Sequence, residues 1–182
     1  MAVEWQAGWV VPSLAEVRDL GWLARWRHLA NSHPCDAAYA EGVGAAIAWV
    51  QGSARVGPAT ARSESPLTRQ LVTAEMWAAM ALNDGGGTSE RTLRGVCAVQ
   101  GVAYVRPDFE RATLDHGSGI YRTLGWLIGN GDGWRGGRVP PYEIPARDAA
   151  GNVAADPRSR ELVELIERTR AADVAMQPAR RR

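Results

Sequence analysis

Gly42-Val43-Gly44-Ala45-Ala46-Ile47-Ala48-Trp49-Val50-Gln51-Gly52 aligns without a gap on Gly119-Ile120-Tyr121-Arg122-Thr123-Leu124-Gly125-Trp126-Leu127-Ile128-Gly129. Each stretch has apolar residues at helical spacing, at 43/47/50 and at 120/124/127. Each also has a tryptophan one position off that stripe and a glycine three residues later, where a helix commonly stops. Further on, Ser65-Pro66-Leu67-Thr68-Arg69-Gln70-Leu71-Val72 aligns on Asp156-Pro157-Arg158-Ser159-Arg160-Glu161-Leu162-Val163. Both copies read as helix, tryptophan, glycine stop, loop, capped proline and helix. The pattern predicts a duplicated helix-loop-helix unit, with copies over 36–82 and 109–172. Two copies fall short of a solenoid, so the expectation is a pair of helical hairpins packed on each other. The two stripes would form their shared core, with Trp49 and Trp126 at equivalent places on its edge.

The rest of the chain extends this to an all-α, compact bundle of five to six helices in a single domain, 1–182. Ser13 with Glu16 has the capping-box spacing and opens a helix to about Asn31, which Asp19 and Gly21 could divide. A second helix is expected from Asp36 to Gln51, after Pro34. A third runs from Pro66 to Leu82, with Ser65 as its cap and the Asn83-Asp84-Gly85-Gly86-Gly87 stop. Residues 88–105 start at Ser89-Glu90-Arg91 and read as helix despite Val96, Val99, Val102 and Val105, which favour strand. Asp108 reads as the cap of the next helix, which Gly117 and Gly119 weaken by about 1 kcal/mol each. Residues 130–156 form a long Gly/Pro-rich loop, and Asp156 caps a last helix to about Ala172. An N-terminal arm, 1–12, and a disordered basic tail, 174–182, complete the division.

Composition sets limits on function. All 21 basic residues are arginine, so every cation is a planar, permanently charged fork. Schiff-base and P-loop lysine chemistry is therefore excluded. The net charge of +1 argues against a chain dominated by nucleic-acid affinity. No apolar run approaches the roughly 20 residues of a membrane span, and the first residues lack the basic start of a signal peptide. The expectation is a cytoplasmic protein without a membrane partner. Cys35 and Cys97 are too few for a disulfide framework.

Candidate functional residues fall into three sets. The first comprises Trp5 and Trp9 on the arm, and Trp134, Arg135 and Arg138 in the long loop. Exposed tryptophan beside arginine is the composition of interface hot spots, and the longer of two otherwise equivalent loops is the better place to look for function. This set supports a non-enzymatic interaction protein, an adaptor or assembly subunit, with a protein partner or a second copy of itself. A second set, Arg135, Arg138 and the tail residues Arg180, Arg181 and Arg182, supports nucleic-acid binding that weakens steeply with salt. The third, His116 and Arg122, supports an enzyme or ligand sensor with a pocket between the hairpins.

Other constellations carry less. Asp115-His116-Gly117-Ser118-Gly119 holds an acid, an imidazole and a hydroxyl, but neighbours in a helix do not face one another. His28, His33 and Cys35 match no familiar zinc spacing. Asn130 and Asp132 alternate as in a calcium loop, without its remaining carboxylates. No metal, cofactor or catalytic residue is assigned, and an enzyme is the less favoured reading.

Overall fold

The computed structural model describes residues 8–30, 33–110, 112–130, 139–148 and 150–180, with side chains described as far as Val174. Six helices account for its regular structure: α1 (Leu14–Ala30), α2 (Pro34–Val50), α3 (Arg69–Asn83), α4 (Glu90–Gln100), α5 (Leu114–Leu127) and α6 (Pro157–Arg180). Among the described residues there is no strand, only an isolated bridge between Arg147 and Val153. No helix there is long and apolar enough to cross a membrane.

The quoted stretches lie at the centre, as α2 and α5, which cross at their aligned glycines. A Cβ on Gly42 would lie 2.2 Å from the His116 carbonyl oxygen, and one on Gly119 would lie 2.3 Å from that of Tyr39. The two backbones touch where neither carries a side chain. Gly117 serves a second neighbour, since a Cβ there would meet Leu82 Cβ of α3 at 2.7 Å. These glycines neither kink nor divide α5, which is continuous; they are the points at which α2 and α3 come close.

Val43, Ile47, Val50, Ile120, Leu124 and Leu127 all enter the buried core, as the stripes predict. Trp49 and Trp126 are inside that core rather than at its edge, only 2% and 6% exposed. The two helices end alike. Gly52 and Gly129 are left-handed, with φ of 71° and 62°. The N–H groups of Ser53 and Asn130 donate back to the carbonyls of Ala48 and Gly125 at 2.9 and 3.0 Å, the bond that closes a glycine-stopped helix.

The correspondence stops there. Thr68, not Ser65, caps α3, accepting from Leu71 N at 3.2 Å, and Pro66 lies outside the helix. Pro157 does open α6, where Asp156 accepts from Ser159 N at 2.8 Å. Nor do the helices of each expected hairpin pair with one another. α2 packs on α1 and α5, α3 on α4 and α5, and α6 on α1 alone. Asp108 likewise is not a cap: Thr113 accepts from His116 N, and α5 begins six residues after Asp108. The capping box holds at α1, where Ser13 N donates to Glu16 at 2.7 Å and Glu16 N to Ser13 at 3.3 Å. That helix runs undivided through Asp19 and Gly21. α6 continues as helix to Arg180, into residues expected to be a disordered tail.

The loop between α2 and α3 is fastened from below. Glu75 of α3 is fully buried. Its Oε1 accepts from Ala59 N at 2.6 Å and Thr60 N at 2.9 Å. Its Oε2 accepts from Thr60 Oγ1 at 2.6 Å and Arg62 Nε at 3.1 Å. A buried carboxylate needs this many donors to offset its lost hydration. The network also holds Ala61 in a left-handed conformation, φ 58°, which is costly for a residue with a side chain.

Candidate functional site

Helix α1 turns two faces to its neighbours. Val17, Leu20 and Ala24 enter the core against α2. Trp22, Trp26 and Leu29, spaced four and three residues apart, share the opposite side, where α6 approaches. Polar contacts fix that approach. Trp22 Nε1 donates to Thr169 Oγ1 at 2.8 Å, and Arg25 pairs with Asp173 at 3.2 Å. Asp19, 4% exposed, accepts from Arg147 at 2.6 Å and from Arg170 at 3.4 Å.

Between α1 and the far half of α6 lies a largely apolar groove of about 230 Å³, lined by Trp22, Trp26, Leu29, Ala30 and Ala172 together with the polar Arg25, Thr169 and Asp173. Leu29 is 53% exposed and Val174, on α6, 65%. Across Trp22 and Arg25 the groove adjoins a wider cleft of about 680 Å³, formed with α2. Arg18, Arg25 and Arg170 line the cleft, and its lining contains no carboxylate. Its floor is bare because Gly44 presents no Cβ; one built there meets nothing within 4 Å. Arg25 and Arg170 each stand 5.7 Å from the Trp22 ring centroid, within range of a cation–π attraction that holds their guanidiniums near the indole. Arg18 is exposed and makes no ion pair among the described residues.

The residues singled out in the sequence are elsewhere. Trp5, Trp134, Arg135, Arg138, Arg181 and Arg182 lie outside the described residues, as does the side chain of Arg180. Trp9 is half-buried against the chain's own core, and Val11 N beside it donates to Leu127 O at 2.9 Å. Cys35 is exposed and Cys97 buried, both as free thiols. Among the described residues no three His, Cys, Asp or Glu side chains converge as a metal site would require.

The structure places His116 and Arg122 against different neighbours. They stand about 120° apart round α5. His116 lines a cavity of about 350 Å³ with Glu41, Asp108 and the loop residues Gly57, Pro58 and Ala61. Arg122 acts instead on Tyr39, whose hydroxyl burial pushes above its usual pKa while the guanidinium opposes the rise. Tyr39 packs edge-on against Tyr142, with centroids 5.6 Å apart. Burial, with Tyr39 adding to it, raises Tyr142 to about 12.

Burial lowers the His116 pKa below its ordinary value, and the Glu41 carboxylate partly opposes this. The folded chain therefore prefers the neutral ring. The unfolded imidazole takes up its proton near pH ~6.5. Stability present above that pH is lost as pH falls through the lower folded value. His116→Gln is expected to flatten the decline in urea midpoint between about pH 7.5 and pH 5.5. An unchanged slope in the variant would assign the decline to other groups.

No protein-family model, curated protein or solved structure matches the chain.

Proposed function

We propose that this chain is a non-enzymatic interaction protein, a subunit or adaptor that seats a segment of a partner protein between α1 and α6. The observation that carries this reading is the apolar groove of Trp22, Trp26, Leu29 and Ala172. It presents large apolar side chains at the surface, with an arginine at its edge. Grouped exposed apolar residues mark interaction surfaces more often than scattered ones do, and tryptophan and arginine dominate the energetics of such surfaces. An amphipathic helix that lays its apolar face into such a groove is a recurring mode of peptide recognition.

Panning a displayed library of helical peptides against the protein tests this. Wild-type chain is expected to enrich peptides with apolar residues at i, i+3 or i+4, and i+7. Leu29→Glu, at a half-exposed position, is expected to leave the melting temperature unchanged and weaken those peptides about tenfold or more. Enrichment of no peptide, or equal binding to the variant, would overturn the reading. So would a dimer in light scattering that Leu29→Glu converts to monomer, because the groove would then be filled by a second copy.

A further inference from the structure

We infer that the segment seated on α1 is acidic as well as apolar, an amphipathic helix whose carboxylates enter the arginine cleft. This rests on the docking reading above and adds the chemistry of the partner. Groove and cleft are one surface, since Trp22 and Arg25 line both. A chain lying along α1 with its apolar side chains against Trp26 and Leu29 must pass its neighbouring face over Arg18, Arg25 and Arg170.

The charge there is in excess. Arg25 is matched by Asp173 at 3.2 Å. Asp19 divides a single negative charge between Arg147 and Arg170, the first much closer, at 2.6 against 3.4 Å. Arg18 has no carboxylate partner among the described residues, and Arg170 has only this shared one. Both are at least partly open to solvent, the Arg170 side chain 46% exposed.

Spacing decides which anion fits. Arg18 and Arg25 stand two turns apart on α1, about 10 Å along its axis at 1.5 Å per residue. One phosphate concentrates its charge within a few ångströms and does not span the two turns between Arg18 and Arg25. The cleft also offers it no cradle of backbone N–H groups of the kind that binds phosphate at a glycine-rich turn. Single carboxylates distributed along a helix at i, i+3 or i+4, and i+7 can each meet a different arginine. The bare glycine floor leaves room for their stems.

Three fluorescein-labelled helical peptides of about four turns, sharing one leucine face and carrying Glu, Gln or Lys on the face beside it, provide the probe. Fluorescence anisotropy is expected to show the Glu peptide binding about tenfold or more tighter than the Gln peptide, with the Lys peptide weakest. Raising salt from about 50 to about 300 mM should weaken the Glu peptide and leave the Gln peptide nearly unchanged. Arg18→Gln, which breaks no ion pair among the described residues, should weaken only the Glu peptide, by about three- to fivefold. Equal binding of Glu and Gln peptides, both lost in Leu29→Glu, would overturn this inference and leave the docking reading standing. Binding of none of the three would overturn both. Displacement of the Glu peptide by a short single-stranded oligonucleotide, at lower concentration than by unlabelled Glu peptide, would assign the cleft to nucleic acid instead.

Discussion

Gly119→Ala is expected to destabilise the protein by about 3 kcal/mol or more, although alanine is the better helix former. In an open helix the same change gains about 1 kcal/mol. Here the new methyl would lie 2.3 Å from the Tyr39 carbonyl oxygen and 3.0 Å from Val43 N. Both neighbours are backbone, so no side chain can turn aside; α2 and α5 must separate. Separation loosens Val43, Ile120 and Leu124 together, all of them fully buried. The melting temperature should fall by about 6–12 °C for a chain of this size. Gly95→Ala supplies the control, because a Cβ there meets nothing within 4 Å. That change in the middle of α4 should stabilise slightly. If both substitutions stabilise, the helices do not cross at Gly119.

Glu75→Ala is expected to cost about 3–5 kcal/mol, the penalty for breaking a buried ion pair from one side. It removes the acceptor for Ala59 N, Thr60 N and the Thr60 hydroxyl, and strands Arg62, which is 4% exposed. Arg62 keeps only weaker partners. Its Nε reaches Thr60 Oγ1 at 3.2 Å and its Nη2 reaches Ala103 O at 3.4 Å, while Nη1 has no hydrogen bond and lies 3.7 Å from the exposed Glu64 carboxylate. Urea denaturation should show the loss, and proteolysis should find new cleavage within 57–62. Adding Arg62→Met should recover part of the stability, because the orphaned charge goes with it. A cost below about 1 kcal/mol for Glu75→Ala would mean that the loop is held by its other contacts.

Much of the helical frame was legible because its signals are local. Ser13 with Glu16, Ser89, Asp156 and the glycines at 52 and 129 act within one turn of the chain, and each ends or begins a helix as its spacing implies. Ser65 and Asp108 misled because another residue takes the cap further on: Thr68 accepts from Leu71 N and Thr113 from His116 N. Asp108 N instead donates to Ala59 O at 2.9 Å. One signal was present and unread: Glu75 follows Leu71 by four residues and precedes Ala79 by four, on the buried face of α3, where an acid requires partners. Gly117 and Gly119 were read for their cost in propensity, whereas their role depends on which helix lies opposite. The candidate site was less legible still. Trp22 and Trp26 stand out at their four-residue spacing, but the wall across from them comes from α6. Arg25 and its partner Asp173 are 148 residues apart, a distance that periodicity cannot bridge.

The way α6 is attached has a thermodynamic consequence. Leu162 and Ile166 are its only buried hydrophobic residues among those described, and neither belongs to the main core cluster. Its other ties are polar: the hydrogen bond from Trp22 to Thr169, the pairs Arg170–Asp19, Arg25–Asp173 and Arg158–Glu143, and the bond from Ala146 N to Ser159, of which the exposed pairs weaken with salt. Helix α6 is therefore expected to open as a unit while α2, α3 and α5 stay folded. A ligand seated between α1 and α6 recognises only the closed form. Its apparent affinity is scaled by the fraction of molecules that are closed, and its binding in turn raises that fraction. Exchange protection of the α6 amides would then report occupancy of the groove from the far side of the helix that forms its wall.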